Sequence, residues 1–226
     1  MNIHEKRIIF AGEELILNNQ RTVYWSRKNM LILSDFHLGK PAYFRENGIA
    51  IPKSVAMKDI KTLESLLIYY GAEQVIIVGD LVHAGTNKEL TLFKALVQKF
   101  REVRFLLIKG NHDSISSSQL EALGISNVHN ELQIDPVSFS HNSRPGSKKH
   151  WIVGHIHPGI RIEMPTKRFI RLPCFVQATS ELILPAFSRF TGLDMFRHAD
   201  KKASYFAFYE QGIFMIEHFS GLDVKG

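Results

Sequence analysis

Apolar runs of four to six residues alternate with amphipathic stretches in the first half of the chain, and short apolar runs dominate the second. Ile8 to Trp25 reads as strand-forming sequence broken by turn signals at Ala11-Gly12 and Asn18-Asn19. Met30 to Leu33 is an apolar strand that runs straight into Asp35. After Pro52, which suits a helix start, Val55, Met57, Ile60, Leu63, Leu66, Leu67 and Tyr70 recur at helical spacing. Val75 to Val78 is a second buried strand, ending at Gly79-Asp80. Leu90, Phe93, Leu96, Val97 and Phe100 make a second helical face. Val103 to Ile108 is a third strand, ending at Gly110-Asn111. This β-α-β-α-β order predicts parallel strands with right-handed crossovers.

Beyond Asn111 the pattern changes. A short helical stretch over Gln119 to Leu123 precedes strand-like segments at Val137 to Ser140, Trp151 to Val153, Arg168 to Leu172, Glu181 to Leu184, Tyr205 to Tyr209 and Ile213 to Ile216. The second half is therefore expected to be sheet-rich. There is no repeat, linker or low-complexity tract. Ser143 to Lys149 is a turn-rich basic loop rather than a boundary, so one α/β domain over residues 1–226 is expected.

Composition adds three constraints. The single cysteine, Cys174, rules out an intrachain disulfide and fits a reducing compartment. No apolar run approaches the roughly 18 residues that a membrane span needs, and Met1 to Gly12 is charged without a long apolar stretch, so a cytoplasmic protein is expected. Lysine and arginine total 28 against 22 acids, a net charge of +6. Acids committed to metal would leave the outer surface more basic still, which favours a polyanionic partner.

The chemistry lies in five motifs: Asp35-Phe36-His37, Gly79-Asp80, Gly110-Asn111-His112-Asp113, His141, and Gly154-His155-Ile156-His157. Four directly follow apolar strands, and open α/β sheets bind ligands at the carboxyl edge of such strands. Asp35 and His37, two apart, can turn toward one ion. Asp80 has two oxygens and can bridge two ions. His155 and His157 repeat the two-apart relation and can serve one ion each. Carboxylate, amide and imidazole donors suit Mn²⁺ foremost, with Fe²⁺ and Zn²⁺ as alternatives, and the lack of thiolates argues against a structural zinc site. Each motif alone has a bland reading, a surface turn or a satisfied polar histidine; the joint pattern does not. His83 is either a residue orienting a ligand or a loop cap. Lys40 and Arg45 are either grips for a substrate phosphate, Arg45 bidentately, or solvated loop charges.

At these residues the chain resembles the calcineurin-like metallophosphoesterase superfamily, whose pattern runs Asp-x-His, Gly-Asp, Gly-Asn-His-Asp/Glu, His and Gly-His-x-His. The resemblance implies two packed mixed sheets flanked by helices in α/β/β/α layers, and a two-metal hydrolase. It implies that Asp35, His37 and His157 hold one divalent ion, that Asn111, His141 and His155 hold the other, and that Asp80 bridges them. It further implies that His112 contacts the scissile phosphate, with Asn111 beside it, and protonates the leaving oxygen, and that Asp113 orients His112. Ser34 to Lys40, Phe44 to Gly48 with Pro52, and Leu184 to Gly192 look like the bacterial ligase-associated DNA damage response endonuclease family PdeM. Members of that family are encoded beside a DNA ligase, a helicase and an exonuclease-like protein, which makes these and DNA the implied partners. Leu193 stands where such members often carry a second glycine.

Paired cations activate water and neutralise phosphoryl oxygens, which is the machinery of phosphodiester hydrolysis. Three substrate readings follow: a DNA endonuclease or phosphodiesterase in repair; a small-molecule phosphodiesterase, acting on a cyclic nucleotide or a nucleotide-sugar pyrophosphate; or an inactive nucleic-acid-binding partner of repair enzymes. The intact ligand set weighs against the last. The Lys148-Lys149 loop and the stretch from Lys167-Arg168 to Arg171 lie near ligands in sequence, so some of these cations are expected to flank the site; the alternative for the Lys148-Lys149 loop is a solvated turn that faces away.

Overall fold

Three apolar runs are strands buried on both faces, as their lack of polar alternation predicts. In a computed structural model the first half comprises β1 (Glu5–Phe10), β2 (Glu13–Asn18), β3 (Val23–Trp25), β4 (Met30–Leu33), α1 (Lys40–Glu46), α2 (Ser54–Tyr70), β5 (Gln74–Val78), α3 (Lys88–Lys99), β6 (Arg104–Ile108), α4 (Ser117–Ala122) and β7 (Asn127–His129). The second half comprises β8 (Glu131–Ile134), β9 (Val137–Ser140), β10 (His150–Val153), β11 (Gly159–Glu163), β12 (Phe169–Gln177), β13 (Glu181–Ile183), β14 (Ser204–Tyr209) and β15 (Gly212–Ile216). The structure describes residues 2–52, 54–83, 88–113, 115–125, 127–163, 168–195 and 197–216, of which 54–56 by backbone alone. The Val55 side chain and Lys167 therefore lie outside the described residues.

The strands form two mixed sheets. The first runs β1-β2-β3-β4-β5-β6-β7, antiparallel up to β4 and parallel from β4 onward. The second runs β15-β14-β12-β13-β10-β9-β8, with β11 paired to β12 outside that order. Within it β9, β10 and β13 are parallel. Alternate residues of β4, β5 and β6 face opposite ways. Leu31, Leu33, Val75, Ile77, Phe105 and Leu107 pack under the helices against Leu63, Leu66, Phe93 and Leu120. Ile32, Ile76, Val78 and Ile108 face the second sheet, meeting Phe139, Ile152, Phe175, Leu182 and Phe206. Among the described residues all four helices precede Glu131, so the helical layer covers the first sheet. The outer face of the second sheet closes over Trp151, Val153, Cys174, Val176 and Tyr205, without a helix among the described residues. Cys174 is a free, buried thiol whose pKa burial raises.

Candidate metal centre

The carboxyl ends of β4, β5, β6, β9 and β10 deliver the five motifs to one edge of the sandwich. The first two motifs extend their strands as a ladder: Asp35 N donates to Gly79 O (3.1 Å), His37 N to Asp80 O (2.8 Å) and His83 N to Leu38 O (2.9 Å). Within this ladder the backbone turns left-handed at Asp35 (φ 54°), His37 (φ 52°) and Asp80 (φ 50°), and again at His155 (φ 69°) and His157 (φ 54°). Aspartate and histidine tolerate this region better than most residues. Each such position still costs on the order of 1–3 kcal/mol and persists only where the surroundings enforce it. Two motif glycines are dictated by the ligand side chains they touch. A Cβ on Gly79, itself at φ +81°, would sit 1.9 Å from His141 Nδ1, and one on Gly110 would sit 2.2 Å from Asp80 Oδ1.

Asp35, His37 and His157 form a first cluster, with ligand atoms within 4.8 Å of one another. His37 Nε2 and His157 Nε2 face each other at 3.4 Å, and His157 Nε2 lies 3.3 Å from Asp35 Oδ1. Asp35 Oδ2 accepts from His155 N (3.0 Å), whereas the buried Oδ1 faces His157 Nε2. Burial works to raise the Asp35 pKa, but His157 and His141 outweigh it, and the carboxylate is held below its ordinary value. Burial, reinforced by Lys40 and His157, pushes His37 down to about 3, so its ring is neutral and its lone pair is free at any ordinary pH. Atoms bound to one ion at about 2.0–2.2 Å fall some 3 Å apart, the spacing seen here.

Asp80, His141 and His155 form the second cluster. His141 Nδ1 lies 3.2 Å from Val78 O, which can only accept, so Nδ1 donates. Its Nε2 is approached by Asn111 Oδ1 at 2.9 Å, His155 Nδ1 at 3.2 Å and Asp80 Oδ1 at 3.5 Å. Imidazole, amide and carboxylate atoms converging on one point are a donor set suited to a divalent cation. Both clusters therefore fit divalent cations.

Around these clusters the sequence candidates divide. His112 is half-exposed; its backbone N donates to Asp80 Oδ1 (2.9 Å), and its Nε2 lies 4.0 Å from Asp80 Oδ2. The two oxygens of Asp113 accept from Val82 N and Gly110 N, both at 2.9 Å, bracing two motif loops together. Burial raises its pKa. The ring packed against His112 is His83, with centroids 5.2 Å apart. Burial, Lys40 and His112 lower the His83 pKa, and its Nδ1 is buried without a partner. Lys40 is half-buried, which lowers its pKa, while Asp80 and Asp35 act to hold it up. Arg45 pairs with Glu89 (3.6 Å) on α3, and Glu89 in turn accepts from Gly39 N (2.6 Å). Lys148 and Lys149 stand next to His150 at the amino end of β10, and Lys149 Nζ reaches Gln133 (3.1 Å). This is the opposite end of the strand from His155, so the expected flanking role is corrected.

A supporting segment emerges only in three dimensions. Ser34 Oγ donates to Pro185 O (3.2 Å), Phe187 N to Ser34 O (2.7 Å) and Ser188 N to Asp35 O (3.2 Å). Arg189 follows with its N on Asp59 Oδ2 (3.2 Å), while Arg21 donates to Ala186 O (2.8 Å). Residues 185–189 thus clamp the first motif. The sequence signal was the Leu184 to Gly192 stretch, which carries no metal-binding chemistry of its own.

Two mixed sheets whose joint edge carries two clusters of nitrogen and oxygen donors define a metal-dependent phosphoester hydrolase. The calcineurin-like phosphoesterase family model matches residues 28–160, and the chain belongs to that family. Among solved structures it is similar to Pseudomonas putida nuclease MPE, with 26% identity over 90% of this chain and 96% of that one, at a TM-score of 0.77. Weaker likenesses are to the phosphoesterase Yfce of E. coli (14% identity, 84% of this chain, 98% of that one, TM-score 0.40) and to an Aquifex aeolicus protein of unknown function (19%, 57% and 78%, 0.41). No curated protein matches the chain.

Proposed function

We propose that the chain is a two-metal phosphodiesterase that cleaves DNA, in the context of repair. The observation that carries the metal reading is the convergence of Asn111 Oδ1, His155 Nδ1 and Asp80 Oδ1 on Nε2 of His141, beside the cluster of Asp35, His37 and His157. Asp35, His37 and His157 would hold one ion and Asn111, His141 and His155 the other, with Asp80 shared; the donor mix suits Mn²⁺, then Fe²⁺ or Zn²⁺. Such ions, when bound, supply charge neutralisation at the phosphoryl oxygens and acidify water. His112, half-exposed at the cluster rim, contacts the phosphate and protonates the departing oxygen. His83, whose ring packs against that of His112, positions it. Lys40 offers the phosphate a cation, while Arg45 has its charge engaged by Glu89.

Support for DNA comes from the similarity to a nuclease across nearly the whole chain, from the basic net charge of +6 and from the PdeM-like motifs. The Mn²⁺-loaded protein should cleave a nitrophenyl phosphodiester and a DNA oligonucleotide, and DNA should compete with the aryl ester in a salt-dependent manner. Cleavage of the aryl ester without competition by DNA at any salt concentration would shift the assignment to small phosphodiesters. No cleavage of either would remove catalysis altogether.

A further inference from the structure

β12 is nine residues long, but only its second part belongs to the sheet. From Cys174 onward it pairs with β14, and Val176 and Gln177 pair with β13. Residues 169–173 pair with β11 instead. Because β12 runs antiparallel to β13, and β13 parallel to β10, these residues continue past the edge where β10 delivers His155 and His157. The link from His157 into β11 is the single residue Pro158. The β11–β12 hairpin is thus a two-stranded ribbon that projects from the sandwich with its base at the candidate metal centre.

One face of the ribbon is apolar: Ile160, Ile162 and Leu172 pack toward the outer core of the second sheet. The other carries Arg161 directly opposite Arg171, and Glu163 opposite Phe169. Like charges directly opposite one another in an antiparallel pair destabilise it. Neither arginine has an ion pair among the described residues. Arg161 instead sits over the Phe169 ring, its guanidinium carbon 3.5 Å from the ring centroid, which restrains the guanidinium. Arg168 adds an exposed charge just before β12. A ribbon that places two unneutralised arginines face to face, one pre-oriented by an aromatic ring, is built for an anion between them.

We infer that this ribbon is a substrate arm: Arg161 and Arg171 grip a backbone phosphate of the nucleic-acid strand beyond the scissile one, and Phe169 orients Arg161 for that contact. This rests on the DNA reading above and adds the surface that holds the strand. The two arginines are positioning residues, remote from the reacting atoms.

The test compares the Mn²⁺-loaded parent, an Arg161→Gln, Arg171→Gln double variant and Arg171→Lys, each on a DNA oligonucleotide and on a nitrophenyl phosphodiester. The double variant should raise KM for DNA about tenfold or more and make the log-affinity against log-salt slope shallower by about one unit per lost contact or slightly less. It should cleave the aryl ester at the parental rate. Arg171→Lys should keep most of the DNA affinity. Parental KM and salt slope in the double variant, with the parent active on DNA, would overturn the arm and leave the DNA reading standing. A proportional loss on the aryl ester would make the arginines supports of the fold and also overturn it. A parent that neither binds nor cleaves DNA would defeat the DNA reading itself, and the arm with it.

Discussion

Gly79→Ala separates the role of the ligand loops from ordinary backbone strain, because a matched control exists. Gly12, in the β1–β2 turn, has φ +78° and nothing within 4 Å of where a methyl would stand, while Gly79 has φ +81° and His141 Nδ1 at 1.9 Å. Both substitutions place a side chain in the left-handed region, at about 1–2 kcal/mol. Only Gly79→Ala adds the clash. Van der Waals contact lies near 3.5 Å, so the buried His141 ring must retreat by more than an ångström and give up its hydrogen bond to Val78 O. Forcing a methyl into such packing adds about 1–3 kcal/mol. Gly12→Ala should therefore lower metal-free stability in urea by about 1–2 kcal/mol and leave activity unchanged. Gly79→Ala should lower it by about 2–5 kcal/mol and sharply reduce metal content and phosphodiesterase activity. Equal destabilisation by the two, with metal content intact in Gly79→Ala, would refute the argument that this glycine exists to admit His141.

Other outcomes follow from the same geometry. His112→Ala should keep its metal content but slow cleavage of a poor-leaving-group ester by about 10²–10⁴-fold, with a smaller loss on a nitrophenyl ester; equal losses would exclude His112 as the proton donor. Burial pushes Asp59 up from 3.8 to about 6, against the pull of Arg189 and Ser188. Between those values the folded chain keeps a proton that the unfolded chain releases, so stability falls as pH rises through this window, by about 3 kcal/mol in all; urea midpoints of Asp59→Asn should lack this fall, and parallel pH profiles for the two proteins would contradict it. Lys148→Glu with Lys149→Glu, placed at the far end of β10, should leave the DNA salt slope at its parental value, which a competition titration across salt would check.

What was legible in the sequence is what burial writes into it. β4, β5 and β6 are covered on both faces and read as continuous apolar runs, and the ligand motifs follow them without a gap. α1 was missed because only Pro41 of its seven residues is buried, which leaves no periodic face. β8 and β11 were missed because each lies half-exposed at a margin of its sheet. Sequence proximity misled at Lys148-Lys149: β9 and β10 are parallel, so the loop after His141 must travel the length of a strand before β10 can begin. The left-handed backbone at five donor positions left no trace beyond the choice of aspartate and histidine. Asp113 matched a motif, but its partners are backbone amides from two loops, a relation no spacing encodes.

The central claim is that Asp80 joins two metal sites built by Asp35, His37 and His157 on one side and Asn111, His141 and His155 on the other. Metal analysis of Mn²⁺-loaded parent and Asp80→Asn protein tests it most directly. The account predicts about two ions per chain in the parent and loss of both on substitution, since the removed charge serves each site. Retention of one ion at full occupancy in Asp80→Asn would show that Asp80 belongs to a single site, and retention of both would contradict the shared centre outright.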